Sequence, residues 1–509
     1  MENLAKLGNP PEFWDYFYQI SRIPRCTENE AQIREFIRKE AEKFGFPVEI
    51  DQVKNIVVKI PSKVQNTDRQ LKIILQCHMD MVCNKIEGVQ HDFSKDPLKL
   101  KIIDEDDEKW LTAEGTTLGA DNGVGIAYQL SIMKKVYNGE LNFAPLGLDL
   151  LFTVDEEGKG TGILQLDTNL ISGDYLINLD AEDDNEILIG SAGLIHNIIE
   201  IKIKRKPLKG IETEITPVKI ALGGLIGGHS GGDINKGRAN AIKLLSQILW
   251  KLNKEFKIYV NSLNGGTHQN AIPRESQAVI YIEKNNFSKL NSFIQDIFHY
   301  IKDSFDGIEK NIKISVQKLP DYSDYTSLQE NFQNKFLNFL YIIPDGLISM
   351  HPKIKDLVQT STNLGTLTTE EDRIVFQLFQ RSSSKYEKYV LNENIFNLLN
   401  MIGLKFKILF DLDYPNWSPN FNLKFLNLAR EVYQKLFNID VKINATHGTC
   451  ECNSFTEYYP NMEMIAIGPT IKDCHSPDER LKISSVEKIW KFLINLLNNL
   501  KDFKKELKD

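Results

Sequence analysis

"LQCHMDMVCNK", residues 75–85, is the stretch from which the fold and the chemistry of this chain can be worked out. An apolar run ends here in a histidine and an aspartate two positions apart, His78 and Asp80. The run predicts a buried β-strand, and because side chains alternate along a strand, both polar groups lie on one face. A buried carboxylate without a partner is costly, so the rest of the chain must supply groups that hold this pair.

Composition and charge exclude several classes of protein. The chain has 509 residues, of which 42% are hydrophobic and 26% charged, the profile of a soluble globular protein with more than one core. Its net charge is −8 and its acids are spread along the chain, so we expect no binding to nucleic acid or to anionic membranes. No uncharged window approaches the roughly 18 apolar residues that span a bilayer, and the N-terminus does not have the pattern of a secretory signal.

The cysteines predict a reducing compartment. Six cysteines in 509 residues are too sparse for a disulfide framework, so we expect a cytoplasmic protein. Cys450 and Cys452 have C-x-C spacing, which is not the C-x₂-C spacing of structural zinc sites. We assign no role to Cys77 and Cys83.

Short β-rich runs alternate with helices in the first part of the chain. The runs cover residues 48–60, 71–82, 146–154 and 175–179, and a glycine-rich loop leading into an amphipathic helix lies between the second and the third. Thr27 and Glu30 have capping-box spacing, which predicts a helix start there. The alternation predicts an α/β fold with a central, mostly parallel sheet flanked by helices.

The pattern changes after residue 194. From 195 to 388 it runs strand, strand, helix with hairpin-like turns, which indicates an α+β insertion. Compact α/β character then resumes and continues to a final helix over residues 483–500. We therefore predict a discontinuous catalytic domain, residues 1–194 and 389–509, and an inserted lid domain, residues 195–388.

Further acidic residues lie in the glycine-rich loop and directly after two of the predicted apolar segments. Asp121 lies in "LGADNGVG" just before a helix, where it could be a helix N-cap, although Asn122 could do that job and leave Asp121 free. In "VDEEGKGTG", Glu156 and Glu157 form either a solvated acidic turn or a pair in which one carboxylate binds a metal and the other stays free as a general base. Asp180 is the first acid after another apolar strand. Because ligands bind at the carboxyl ends of strands in open α/β sheets, we expect these groups to converge.

One more histidine completes a candidate site for two metal ions. His475, in "GPTIKDCHSPDERL", directly follows an apolar run. Five ligands suffice for two ions if one carboxylate bridges them, and carboxylate oxygens mixed with imidazole suit zinc, with manganese and cobalt as alternatives. The predicted ligands are His78, Asp121, Glu157, Asp180 and His475.

At these residues the chain resembles the co-catalytic metallopeptidases that include aminoacylase, glutamate carboxypeptidase, carnosinase and bacterial dipeptidases, and most of all the aminoacyl-histidine dipeptidase subfamily. The likeness covers nearly the whole chain. Its segments, in order, are "CHMDMVCNK", "GTTLGADNGVGIA", "DEEGKGTG", "NLDAEDDNEILIGSAG", "GGLIGGHSGGDINKGRANA", "NAIPRE", "VQTSTNLG", "YPNWSPN" and "GPTIKDCHSPDERL".

The resemblance implies a role for each metal ligand. One metal would be held by His78 and Asp180, the other by Glu157 and His475, with Asp121 bridging them. The function implied is a dipeptidase that hydrolyses dipeptides with free termini, of Xaa-His type or broad specificity, through a metal-bridging hydroxide.

The resemblance also implies roles for residues that do not bind metal. Asp80 would orient His78, Glu156 would be the general base, and His229 in the lid would stabilise the oxyanion. The substrate contacts implied are Arg381 for the C-terminal carboxylate, Asn270 for a further contact, and Glu451 for the free amine. Around Glu451 the sequence departs from the "HAGLECG" of the subfamily.

Two alternatives to a dipeptidase remain. One is a deacylase or amidohydrolase of N-acyl amino acids on the same core, and the other is a non-catalytic scaffold relative. A scaffold relative usually lacks ligands or the base, and none is missing here. The partners we expect are small dipeptides and, through the lid domain, a second copy of the chain.

Overall fold

The computed structural model describes residues 7–62, 71–320, 322 and 324–501. It divides into two compact units. The first, called the sheet unit, comprises Met1–Gly190, Pro419–Ala445 and Glu451–Asp509. The second, called the inserted unit, comprises Ser191–Ser418 and Thr446–Cys450.

The helices and strands are numbered in chain order. The helices are α1 Pro11–Ile20, α2 Ala31–Lys43, α3 Ala120–Tyr137, α4 Thr161–Leu164, α5 Ala241–Glu255, α6 Phe287–Ser304, α7 Glu330–Ile342, α8 Lys385–Ile402, α9 Lys424–Phe437, α10 Cys452–Tyr458 and α11 Ile483–Leu500. The strands up to residue 207 are β1 Val48–Ile50, β2 Ile56–Ile60, β3 Lys72–His78, β4 Leu100–Glu105, β5 Glu108–Ala113, β6 Gly147–Thr153, β7 Tyr175–Asn178, β8 Glu186–Ser191, β9 Gly193–Lys202 and β10 Arg205–Pro207. The remaining strands are β11 Ile215–Gly223, β12 Gly228–His229, β13 Tyr259–Gly265, β14 Ala271–Ile272, β15 Ser276–Glu283, β16 Lys313–Lys318, β17 Thr326–Leu328, β18 Gly346–Met350, β19 Val358–Thr369, β20 Arg373–Ser382, β21 Phe406–Tyr414, β22 Lys442–Thr446, β23 Glu463–Ala466, β24 Ile471–Lys472 and β25 Arg480–Lys482.

The sheet unit is built on an eight-stranded sheet with the order β1-β2-β6-β3-β7-β23-β8-β22. Its four central strands, β6, β3, β7 and β23, are parallel, and the strands next to them are antiparallel. This confirms the predicted central, mostly parallel sheet. Parallel strands are buried on both faces, and β3 is accordingly buried over its whole length except at Lys72.

Helices cover this sheet and continue its apolar core. The helix α3 is buried on nearly all faces and lies against α1 and β3. The final helix, predicted over residues 483–500, is α11, whose apolar face joins the same core. A separate four-stranded sheet, β24-β25-β5-β4, completes the sheet unit.

The inserted unit is an α+β structure, as predicted. Its main sheet has the order β16-β11-β15-β13-β19-β20-β9-β21, with β18 added on β19, and its strand pairs are antiparallel. An apolar core lies between this sheet and helices that include α5, α7 and α8.

The unit division differs from the sequence-based boundary at residue 389. That boundary falls inside α8, which lies against β20 and β9 of the inserted unit, and β21 pairs with β9 in the same sheet. The compact units therefore separate near residue 418. Pairing between strands that are some 200 residues apart leaves no local pattern, which is why the sequence placed the boundary too early.

The predicted capping box at Thr27 is wrong. A new helix does start near this segment, since α2 begins at Ala31, but its N-cap residue is Glu30 and no side chain makes a capping hydrogen bond. The Thr27 hydroxyl instead donates to Oδ2 of Asp80 at 2.9 Å. Among the described residues, no helix has the length and apolarity needed to cross a membrane.

Candidate metal centre

The predicted metal ligands of the sheet unit gather at one edge of its central sheet. His78 is the last residue of β3, Asp180 follows β7 by two residues, and Glu157 lies in the turn after β6. Because β3, β6 and β7 are parallel, their carboxyl ends lie side by side. The topology therefore brings together residues that are up to 102 positions apart.

His78 faces carboxylates through both ring nitrogens. Its Nε2 lies 2.9 Å from Oδ1 of Asp121 and 3.4 Å from Oδ1 of Asp180. Its Nδ1 lies 3.3 Å from Oδ1 of Asp80. The side chain is 1% exposed, so the ring orientation is fixed by these contacts. His78, Asp121 and Asp180 form one group whose candidate ligand atoms lie within 4.8 Å of one another.

His475 forms the second group. Its Nε2 lies 3.1 Å from Oδ2 of Asp121 and 3.0 Å from Oε1 of Glu157. These three residues also have candidate ligand atoms within 4.8 Å of one another. The two oxygens of Asp121 thus face the two histidines separately, which is the arrangement required of a bridging carboxylate.

The start of α3 leaves Asp121 free for this role. Asp121 and Asn122 have non-helical backbone angles, and Oδ1 of Asn122 accepts the N–H of Gly125 at 2.9 Å. Asn122 is therefore the residue that caps the helix, and its Nδ2 donates to Asp180. A Cβ at Gly125 would lie 2.2 Å from that oxygen of Asn122, so the "DNGVG" segment requires glycine there.

Asp80 connects the histidine to the acidic turn. Its Oδ1 accepts the N–H of Glu156 and its Oδ2 accepts the N–H of Glu157, each at 3.1 Å. The neighbouring Asp155 points elsewhere, with Oδ2 accepting from the Thr161 hydroxyl at 2.6 Å. The turn after β6 is therefore an ordered structure and not a solvated acidic loop.

The buried carboxylates at this edge of the sheet repel one another, which shows in the raised pKa values of two of them. Burial raises the pKa of Glu157 to about 7 and that of Asp180 to about 6, and the charge of Asp121 adds to both shifts. Burial acts in the same direction on Asp121, but its hydrogen bonds to His475 and His78 hold its pKa well below the usual value. A divalent cation would remove this repulsion.

The donor atoms fit a pair of divalent metal ions. Oε1 of Glu157 is buried without a hydrogen bond, although Nε2 of His475 lies nearby. Such an atom needs another partner, and a metal ion is one. Imidazole nitrogens combined with carboxylate oxygens are the ligands used for zinc, and also for manganese and cobalt.

Glu156 lies beside the ligands. Its pKa is raised well above the usual value, first by burial and also by the charges of Glu157 and Asp180. It forms a further candidate group with His78 and Glu157. Proximity alone therefore allows Glu156 to be either a ligand or a free base.

Three predicted residues lie in the inserted unit. His229 of β12 and Asn270 come together where β12 pairs with β14, and the Asn270 carbonyl accepts the N–H of Ser230 at 2.8 Å. Arg381 of β20 is 4% exposed, and its Nε and Nη1 are buried without hydrogen-bond partners. Burial lowers the pKa of Arg381 to about 10, so its cation persists at neutral pH. A buried cation with unpaired donors calls for an anionic ligand.

His447 is a buried histidine of the inserted unit for which the sequence suggested no role. It lies in the inserted unit with Nε2 2.7 Å from Oγ of Ser361, and it is 6% exposed. Burial lowers its pKa to about 3, and the charge of Arg381 contributes, so the ring is neutral near pH 7. His447 lies in the "ATHGTCEC" segment that also contains Glu451, so the sequence placed it close to a predicted site residue.

Glu451 lies in the sheet unit and is 1% exposed. Its Oε2 accepts from the Thr153 hydroxyl at 2.6 Å and from the Gln76 amide, while its Oε1 is buried without a hydrogen bond. Burial raises the pKa of Glu451 to about 7. It is thus tied to β3 and β6 close to where both strands end.

The cysteines correct one expectation. Cys26 and Cys83 form a disulfide, with a Cα–Cα distance of 5.6 Å, so Cys83 has a structural role that the sequence analysis did not assign. Cys77 is free and buried, and its Sγ lies 3.0 Å from Nε2 of Gln129. In the described part of the chain, no candidate metal group includes Cys450 or Cys452.

Comparison with known proteins places this arrangement in a family. Residues 220–308 match the family model of the M20 peptidase dimerisation domain. The chain is 35% identical to the cytosol non-specific dipeptidase of Escherichia coli over 98% of its own length and 99% of that protein. The crystal structure of aminoacylhistidine dipeptidase from Vibrio alginolyticus matches with a TM-score of 0.82 and 31% identity, over 97% of this chain and 98% of the other. A tripeptidase from Staphylococcus aureus shares the fold, with a TM-score of 0.55 and 14% identity over 97% of this chain and 99% of the other. The chain belongs to the M20 family of peptidases, the family of the cytosol non-specific dipeptidase.

Proposed function

We propose that this chain is a dinuclear metal-dependent dipeptidase that hydrolyses dipeptides with free N- and C-termini. The observation that carries the proposal is the position of Asp121, whose two carboxylate oxygens face the candidate ligands His78 and His475 separately. His78 and Asp180 would hold one ion, and Glu157 and His475 the other. Zinc is the ion that this donor set suits first, with manganese and cobalt as alternatives.

Two ions held here would supply Lewis acidity and a water of lowered pKa. The protein's own contribution to the chemistry would begin with Glu156. A buried carboxylate with a raised pKa can accept a proton from the attacking water and return it to the leaving amine. Asp80 would hold the His78 ring in place and fix the turn that carries Glu156, because its carboxylate contacts both.

The residues of the inserted unit would recognise the substrate. Arg381 offers a planar fork with unpaired donors, which matches a C-terminal carboxylate. His229 would stabilise the oxyanion, and Asn270 would make a further substrate contact. In the sheet unit, Glu451 would bind the free amine through Oε1, the oxygen that has no hydrogen bond.

We further propose a cytoplasmic homodimer. The match of residues 220–308 to a peptidase dimerisation domain supports assembly through the inserted unit. The curated relative is named for the cytosol, which supports that location.

Substrate choice tests the proposal against a deacylase. The zinc-loaded protein is offered a dipeptide and its N-acetylated counterpart, and release of the free amino acid is measured. A dipeptidase cleaves the first and leaves the second nearly intact. Good turnover of the acetylated compound, unchanged in Glu451→Ala, would favour a deacylase of N-acyl amino acids.

A further inference from the structure

Glu479 holds the backbone that carries the bridging ligand. Its Oε2 accepts the N–H groups of Leu118 at 2.7 Å and Gly119 at 2.9 Å. Its Oε1 accepts those of Ala120 at 2.7 Å and Asp121 at 3.2 Å. The side chain is 2% exposed, so water does not compete for these bonds.

These four donors stand where α3 begins. The first N–H groups of a helix have no partner within the helix and need an acceptor from outside. Here the acceptor comes from 358 residues further along the chain. A carboxylate at this end is also favoured by the helix dipole. Glu479 therefore fixes the backbone from which the Asp121 carboxylate projects.

The connection between β24 and β25, which carries Glu479, contacts Asp121 a second time through the side chain of His475. Glu479 and His475 both lie in the connection between β24 and β25, and Nε2 of His475 lies 3.1 Å from Oδ2 of Asp121. The hairpin is anchored by β25 pairing with β5, and the Thr112 hydroxyl donates to the Glu479 carbonyl at 2.7 Å. One rigid segment thus sets a proposed metal ligand and the backbone of the bridging carboxylate relative to each other.

Arg25 holds the same loop by donating hydrogen bonds to backbone carbonyl groups. Its guanidinium donates to the carbonyl oxygens of Met79 at 3.1 Å, Asp80 at 2.7 Å, and Gly119. The side chain is 3% exposed. A Cβ at Gly119 would lie 2.6 Å from Nη2 of Arg25, and Gly119 has a φ of +66°, so both space and conformation require glycine. A buried anion and a buried cation thereby hold the same loop through its N–H and its C=O groups.

We propose that Glu479 is a positioning residue for the metal pair, setting the bridging carboxylate of Asp121 against His475. The inference rests on the proposed function, because it assumes that Asp121 and His475 bind metal. Both oxygens of Glu479 accept backbone N–H groups, so its effect would be transmitted through four backbone hydrogen bonds and not through contact with an ion.

Glu479→Gln isolates this role with little change of shape. A glutamine side chain has one acceptor oxygen and one NH₂ group, which cannot accept, so two of the four backbone N–H groups lose their partner. The backbone segment from Leu118 to Asp121 then keeps only half of its hydrogen bonds to this side chain. Loss of such supporting bonds around a metal site lowers metal affinity by about 10- to 100-fold.

Asp149→Asn is the matched control. Asp149 is also a buried carboxylate of the sheet unit, and it accepts a backbone N–H, that of Ser172, at 3.1 Å. It lies near the start of β6, whereas the metal ligands follow the ends of the strands. Its replacement should reduce stability without reaching the site.

The experiment measures zinc affinity by competition with a chromophoric chelator, the visible spectrum of the cobalt-loaded protein, and the melting temperature of the chelated protein. We expect Glu479→Gln to bind zinc about 10- to 100-fold more weakly, with an altered cobalt spectrum, and Asp149→Asn to match the wild type in both. A Glu479→Gln protein that melts lower but keeps wild-type zinc affinity and cobalt spectrum would overturn the inference, since Glu479 would then be merely structural.

The experiment also distinguishes failure of the proposed function from failure of the variant to fold. If the wild type binds no zinc, the proposed function fails, whatever the variant does. If Glu479→Gln does not fold, Glu479→Asp takes its place, because it keeps both oxygens and the charge but retracts them by one methylene. Weakened zinc binding in Glu479→Asp supports the inference, and unchanged binding rejects it.

Discussion

Oδ1 of Asp80 lies 3.3 Å from Nδ1 of His78, and the same oxygen accepts the N–H of Glu156. One buried carboxylate therefore orients a proposed metal ligand and holds the turn that presents the proposed base. The contact accounts for the spacing of His78 and Asp80: β3 ends at His78, and the side chain of Asp80, two residues later, reaches Nδ1, the ring nitrogen that does not face Asp121.

Replacing Asp80 by asparagine should weaken metal binding. The amide NH₂ of asparagine would face either the N–H of Glu156 or that of Glu157, so one hydrogen bond of the turn is lost along with the charge beside His78. We expect zinc affinity to fall about 10- to 100-fold. Competition with a chelator measures this, and an Asp80→Asn protein with unaltered affinity would show that His78 is oriented by other groups.

Thr27 should affect the site and not the helix that follows it. Its hydroxyl donates to Asp80 and caps no N–H of α2, so Thr27→Val removes a hydrogen bond worth about 1.5 to 3 kcal/mol from the Asp80 carboxylate. We expect dipeptide turnover at a fixed zinc concentration to decrease several-fold, while Thr27→Ser, which keeps the hydroxyl, stays close to the wild type. Equal activity of Thr27→Val and Thr27→Ser would argue against this contact.

Metal binding should weaken as the pH falls. In the metal-free protein, the neighbouring carboxylates of Asp121 and Glu157 raise the pKa of His475 to about 11, and the carboxylates around His78 raise its pKa well above the usual value despite burial. Both rings therefore carry a proton near pH 7 that must leave before Nε2 can bind metal. Titration of zinc calorimetrically in buffers of different ionisation enthalpy should show release of about two protons. Zinc affinity that does not change between about pH 6 and pH 8 would contradict these shifts.

Arg381 should determine affinity for the substrate carboxylate. Arg381→Lys keeps a positive charge but loses the planar fork, so KM for a dipeptide should rise about tenfold or more, equivalent to at least about 1.4 kcal/mol. A dipeptide amide lacks the carboxylate and serves as the control substrate, whose KM should change little. If the two substrates respond alike, Arg381 does not read the carboxylate.

Local patterns in the sequence predicted the parts of the site that lie at strand ends. The apolar run before His78 marked the end of β3, and the apolar runs before Asp180 and Glu157 marked two more strands whose carboxyl ends meet it. Asp80 lies beyond β3, so its contact with His78 comes from the chain after the strand and not from the predicted alternation along it. The alternative in which Asn122 caps the helix and frees Asp121 is also the one that the structure shows. These features depend on neighbouring residues, so they can be read from the chain directly.

Features that depend on distant residues escaped the sequence analysis. Glu479 reads as one more acid in a polar turn, and its four acceptor bonds arise only when the hairpin meets α3. The Cys26–Cys83 disulfide joins residues 57 positions apart, and β21 pairs with a strand about 200 residues earlier. The capping-box prediction at Thr27 was wrong for a similar reason, because the Thr27 hydroxyl donates to Asp80 and not to the start of the helix.

We propose that five residues hold two metal ions on which peptide hydrolysis depends. The most direct test removes metal with a chelator, returns zinc or manganese in steps, and records bound metal per chain together with dipeptide turnover. We expect an inactive metal-free protein and activity that returns with metal and is complete at about two ions per chain. We also expect a Glu156→Gln variant to bind the same metal but to turn over at least about 100-fold more slowly. Turnover that persists after chelation, or saturation of binding well below two ions per chain, would contradict this proposal.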